Sequence, residues 1–136
     1  MDAAAVTFLI AAALHAGFQL TVTVLVYPAL SRIPPGRWPD AHARHSRGIV
    51  PLVGVVYVLL AISVCWMLLA DRSGWTYAGA VLAAAVASVT AFGAAPIHGR
   101  LSERDDALVR RLLQIDTVRA VLAVLLLGVA LGAAAQ

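Results

Sequence analysis

Asp116-Thr-Val-Arg119 sets an acid and a guanidinium three residues apart inside an apolar run, and Pro96-Ile-His98-Gly-Arg-Leu101 sets an imidazole at the end of the run before it. On a helix that spacing puts Asp116 and Arg119 side by side, so they can pair directly. Pairing offsets part of a cost of about 2.5 to 3.5 kcal/mol for each such charge at the centre of a membrane helix. Arg119 then has two uses. Either it snorkels to water or phosphate, or it is held in place to bind an anionic group or polarise an oxygen, with Asp116 orienting it or His98. His42 and His45 are also three apart, on a stripe that continues through Ile49 and Leu52. With His98 they have the ligand types of a zinc, copper or non-haem iron site; the plainer reading is three exposed interfacial histidines. His15, Gln19 and Thr23 recur every fourth residue on one stripe of the first apolar segment. Such a stripe either hydrogen-bonds between helices or faces a ligand cavity.

The chain that must position these groups has 136 residues, 62% of them apolar and 12% charged, with a mean hydropathy of +0.89. Those values lie far outside soluble averages and indicate an integral membrane protein in a lipid bilayer. The formal charge of +3 comes from ten arginines against seven acids. The arginines sit in short connectors rather than along one basic face, which excludes nucleic acid as a partner. The absence of lysine and the abundance of alanine suit a high-GC bacterium, hence a multi-pass protein of the bacterial inner membrane. Cys65 is the sole cysteine, so no intrachain disulfide forms, and it is expected to pack in the core.

Four apolar spans make this an all-α, single-domain transmembrane four-helix bundle, with spans at about 3–30, 49–70, 75–95 and 112–135. The first begins with Asp2 instead of a basic region and is too long for a signal peptide. After Pro34, Pro35 and Gly36, a helix is expected to start near Trp38, with Pro39 in its first turn and Trp38 as an interface anchor. Pro51 lies near the start of the second span, where a kink is tolerated, and Ser63 is expected at the depth of His15, so that the two can meet. Gly79, Ala83, Ala87, Ala91 and Ala95 form a small-residue packing stripe on the third span, which Pro96 is expected to end. Gly128 and Gly132 form a packing motif, usable within the bundle or for a homo-oligomer. A 20-residue core from about Asp116 to Ala135 would put Asp116 and Arg119 within the first turns of the membrane, near the interface, and leaves no antiporter-type acid at mid-bilayer.

The first and third connectors carry four arginines each (Arg32, Arg37, Arg44, Arg47; Arg100, Arg104, Arg110, Arg111) and the second only Arg72. The positive-inside rule then makes both termini extracytoplasmic and gathers His42, His45, His98, Asp116 and Arg119 at a cytoplasmic mouth. A bis-histidine haem is disfavoured, since His15 lies about 20 Å from the other imidazoles by helical rise. No phosphate-cradling loop, nucleophile elbow or paired-cysteine motif is present. The cofactor is left open.

Through Pro96-Ile-His98-Gly-Arg-Leu101, Asp116-Thr-Val-Arg119, Tyr27-Pro28 and the histidines before the second span, the chain resembles the anthrone oxygenase-like family of small four-helix membrane proteins. It departs from that pattern at Asp116, where relatives often carry Asn, and at Thr117, where an aromatic is common. The resemblance implies an oxygenase acting on a hydrophobic aromatic substrate, with His98, Asp116 and Arg119, and also His45 and Tyr27, as site residues. His15, Gln19 and Tyr27 are the expected cavity residues. The other classes are a small-molecule or metal-binding or transport-related membrane protein, and a structural partner subunit.

Overall fold

The computed structural model describes residues 2–136 as four helices: α1 Ala3–Ser31, α2 Pro35–Ala70, α3 Gly74–Arg100 and α4 Asp106–Ala134. Each is long and apolar enough to cross a membrane. Even the 27 residues of α3 span about 40 Å at 1.5 Å per residue, more than a hydrocarbon core of roughly 30 Å. The connectors are short, so neighbours run antiparallel: α1 packs between α2 and α4, and α3 closes the ring against the same two.

Caps explain where the helices begin. Asp2 accepts from the Ala5 N–H at 2.7 Å, and Asp105 accepts from Ala107 and Leu108 at 2.8 and 3.1 Å. The Asp105 cap starts α4 six residues before the expected membrane boundary at 112. Between α2 and α3, hydrogen bonds from Ser73 and Thr76 hold the Asp71 carboxyl below its ordinary range.

Two internal features depart from expectation. α3 does not end at Pro96 but continues to Arg100, because Val89–Ala94 form a π turn in which Ala95 N–H bonds Thr90 C=O, five residues back. α1 does the same at Val22–Val26, where Tyr27 N–H bonds Val22 C=O. A proline, Pro28 or Pro96, stands two residues after the end of each π turn. A proline ring collides with the carbonyl four residues before it in a regular helix, and those carbonyls, Val24 and Phe92, lie inside the widened turns. The extra residue also rotates the downstream face. Gly79 is buried and Ala83 and Ala87 half-buried, but Ala91 and Ala95 are exposed and Ala94 and Ile97 take the inward face instead.

The interior has two apolar clusters. One, toward the termini, gathers Phe8, Leu60, Met67, Val86 and Leu126 with buried alanines. The other, toward the 31–35 and 100–106 connectors, gathers Leu30, Trp38, Ile97, Leu101 and Leu112. Outward faces are apolar as well: Leu69 is 85% and Phe92 83% exposed, a surface suited to hydrocarbon. Cys65 is exposed rather than packed inside, since the inward stripe of α2 runs through Leu60, Ser63 and Met67. Pro51 lies within an unbroken α2.

The glycine motif of α4 is split. A Cβ on Gly132 would lie 2.7 to 2.9 Å from the Trp75 ring, whereas one on Gly128 would meet nothing within 4 Å. Gly132 is therefore used inside the bundle. Gly132→Leu should lower stability by about 1 to 3 kcal/mol through overpacking against a rigid indole, and Gly128→Leu should leave the melting temperature in detergent unchanged. Equal effects of the two changes would refute this assignment.

Candidate functional site

A cavity of ≈ 440 Å³ lies against the connector-side apolar cluster, with which it shares Val22, Tyr27 and Ala94, and its size is within the usual range for small-molecule sites of about 300 to 1,000 Å³. Phe18, Val22, Ile49, Val50, Val53 and Ala94 make its apolar walls. Tyr27, Ser46, Thr90, His98 and Arg119 supply its polar groups. Val22, Thr90 and Ala94 belong to the π turns, so the irregular backbone of both helices faces the same space.

At one side of the cavity the three histidines converge. Tyr27 Oη lies 2.8 Å from His98 Nε2, and His42 Nε2 lies 3.2 Å from His98 Nδ1. The rings stack, His42 on His98 at 5.5 Å and His45 on His98 at 6.0 Å between centroids. His42 is buried rather than exposed at an interface. Both nitrogens of His98 are thus engaged by Tyr27 and His42. His42, His45 and His98, the expected metal ligands, stand together as a stack in which the His42–His98 pair alone is hydrogen-bonded, and no group of three His, Cys, Asp or Glu among the described residues is arranged to hold a metal ion. Trp38 continues the stack at 5.4 Å from His42, with the Arg104 guanidinium 5.6 Å from its ring. It is 1% exposed and donates from Nε1 to Leu101 C=O at 2.9 Å, so it is a plug between α2 and the end of α3 rather than an interface anchor. Arg104 also bonds Asp106 at 2.7 Å and reaches Ile33 C=O, tying the two arginine-rich connectors together.

On the other side, Asp116 Oδ1 accepts from Gln19 Nε2 at 2.7 Å and from Arg119 at 3.3 Å. The expectation of an interfacial, snorkelling pair does not hold. Arg119 stands thirteen residues after Asp106 and fifteen before Ala134, at the middle of α4, and both side chains are almost fully buried. Because α4 starts at Asp106 and Asp116 docks on Gln19 of α1, the acid lies in mid-bundle, and it orients Arg119 rather than His98. One turn from Gln19 on α1, His15 is fully buried and meets Tyr57 edge-on at 5.1 Å, not Ser63, whose hydroxyl donates to Leu60 C=O. Of the expected cavity residues, Tyr27 lines the cavity and partners His98, whereas His15 and Gln19 are buried outside its lining.

Several buried polar atoms here have no protein partner: both His15 nitrogens, Gln19 Oε1, Asp116 Oδ2, Arg119 Nε, His45 Nε2 and Ser46 Oγ. Buried polar groups are normally satisfied, so a cluster of this kind marks a place where polar ligand atoms or water belong. Tyr57, Ser46 and Thr90 were missed from sequence. Tyr57 Oη contacts Thr90 Oγ1 at 2.5 Å across α2 and α3. Their signal was present: 42, 46, 49, 53 and 57 form one inward stripe of α2 at three- and four-residue steps. Compared with models of protein families, with curated proteins and with solved structures, the chain matches none.

Proposed function

We propose that this chain is a multi-pass membrane enzyme of oxygenase-like type, acting on a hydrophobic aromatic substrate that carries an acidic oxygen or an acidic C–H beside a carbonyl. One observation carries the reading: Arg119 and the Tyr27–His98 pair line the same apolar-walled cavity. In this mechanism the substrate proton passes to Tyr27 Oη as Tyr27 hands its own to His98 Nε2. His42 shares the Nδ1 side of the ring and holds its orientation. Arg119, aligned by Asp116, steadies the oxyanion left behind. Dioxygen, the oxidant, adds to the carbon of this electron-rich anion to give a peroxide anion, which takes the proton back from His98 through Tyr27, and cleavage of the O–O bond with loss of water leaves a carbonyl. His45, with Nε2 unpartnered, is a second proton acceptor at the same level. The resemblance to anthrone oxygenase-like proteins supports the substrate class.

The histidine side of the site faces the end where the two arginine-rich connectors meet. By the positive-inside rule that end is cytoplasmic and both termini are extracytoplasmic, and the membrane is the bacterial inner membrane. The closed apolar cluster on the terminal side speaks against a path through the bundle, and so against a channel.

Oxygen uptake by the purified protein with a panel of lipid-soluble phenols and anthrones tests the reading. The native protein should accelerate uptake with at least one of them. Tyr27→Phe, which removes one hydrogen bond and leaves His98 to take the proton through water, should lower the rate about tenfold, the equivalent of roughly 1.4 kcal/mol. Saturable binding with no oxygen uptake on any of them would favour a non-catalytic binding protein built on the same cavity.

A further inference from the structure

The cavity is closed along the bundle axis in both directions. Toward the termini, Phe8, Leu60, Val86 and Leu126 are buried and packed together. Toward the connectors, Trp38 and Leu101 are 1% and 0% exposed and joined by a hydrogen bond. The side is different. α2 packs along Gly74–Ser88 of α3, but its backbone makes at most marginal approach to Val89–Arg100, beyond the start of the π turn. Side chains bridge the two helices there at Tyr57–Thr90 and at His42–His98, with the opening between those bridges. The gap is rimmed by Val50, 65% exposed, and by the exposed Ala95 and Gly99, and a Cβ on Gly99 would meet nothing within 4 Å. At the inner end stands Arg119, 3% exposed, with Nε unpartnered.

We propose that the cavity opens sideways to the hydrocarbon of the bilayer between α2 and α3, and that its ligand enters there as a neutral, lipid-soluble weak acid whose single acidic oxygen meets Arg119. An apolar rim excludes ions, because an unpaired charge is costly to move through hydrocarbon. A neutral phenol passes and can give up its proton only once it lies against Arg119 and the Tyr27–His98 pair. The rim thus selects for the protonated form, and the inner end for the oxygen that ionises. This portal rests on the function proposed above for the same cavity.

The test uses the full chain in liposomes with 2-naphthol as probe and its methyl ether, 2-methoxynaphthalene, as control. Stopped-flow fluorescence reads the association rate. Val50→Trp and Gly99→Leu, which add bulk at the rim, should slow naphthol association at least tenfold. Arg119→Gln should reduce naphthol affinity to that of the ether without slowing association. Rim variants within twofold of native would overturn the portal while leaving the Arg119 site standing. Absence of saturable naphthol binding to the native protein would overturn both. Should the rim variants not fold, a nitroxide on Val53→Cys in a Cys65→Ser background gives the same answer. Spin relaxation by oxygen but not by a water-soluble nickel chelate is expected, and the reverse order refutes a hydrocarbon-facing opening.

Discussion

Replacing His98 with alanine is expected to cut oxygen uptake on an accepted aromatic substrate by about 10²- to 10⁴-fold, the usual contribution of a positioned general base. The size of the effect follows from connectivity. His98 is the one imidazole bonded to two other site residues, Tyr27 at 2.8 Å and His42 at 3.2 Å, while it also lines the cavity. Removing it breaks the proton bridge from Tyr27 and frees His42. His98→Gln keeps a hydrogen-bonding side chain but cannot act as the base, and should remain as inactive as the alanine variant. Partial recovery of His98→Ala by added imidazole would separate a chemical role from a packing one. Full activity in His98→Ala would remove the proposed mechanism.

The second large effect is on stability. In Asp116→Ala the Arg119 guanidinium remains in the bundle without its counter-charge and Gln19 Nε2 loses its 2.7 Å acceptor. Breaking a buried pair by removing one partner costs about 3 to 5 kcal/mol, chiefly from the uncompensated charge left behind. Asp116→Asn keeps an acceptor for Gln19 and should lose less. The double variant Asp116→Ala, Arg119→Leu should be more stable than Asp116→Ala alone, since an apolar replacement of the whole pair leaves no orphan charge. Unfolding by denaturing detergent measures all three. A loss below about 1 kcal/mol for Asp116→Ala would mean that the pair is solvated after all.

The two effects separate the roles of the two halves of the site. The Gln19–Asp116–Arg119 triad joins α1 to α4 and sets where Arg119 points. The Tyr27–His98–His42 chain joins α1, α3 and α2 and carries the mobile proton. Each is built from helices distant in sequence, with separations of 97 residues for Gln19 to Asp116 and 71 for Tyr27 to His98.

The sequence by itself determined the four helices, their antiparallel order and the imidazoles, acid, amide and guanidinium of the interior, though not its hydroxyls at Ser46, Tyr57 and Thr90. Hydropathy and caps are local properties, and in a chain so apolar each histidine, acid or amide inside a span stands out. Pairing was a different matter. Whether Asp116 met water or Gln19, whether His42, His45 and His98 formed a ligand set or a stack, and whether Trp38 faced outward or plugged the bundle all depend on the rotation and axial offset of one helix against another. Helical periodicity leaves both free. The two π turns show why most directly: one inserted residue turns everything after it by roughly 100°, which swung Ala91 and Ala95 outward, brought Ala94 and Ile97 in and carried α3 past Pro96 to deliver His98 to Tyr27. Only the packed bundle decided that rotation, and with it the side on which the cavity opens.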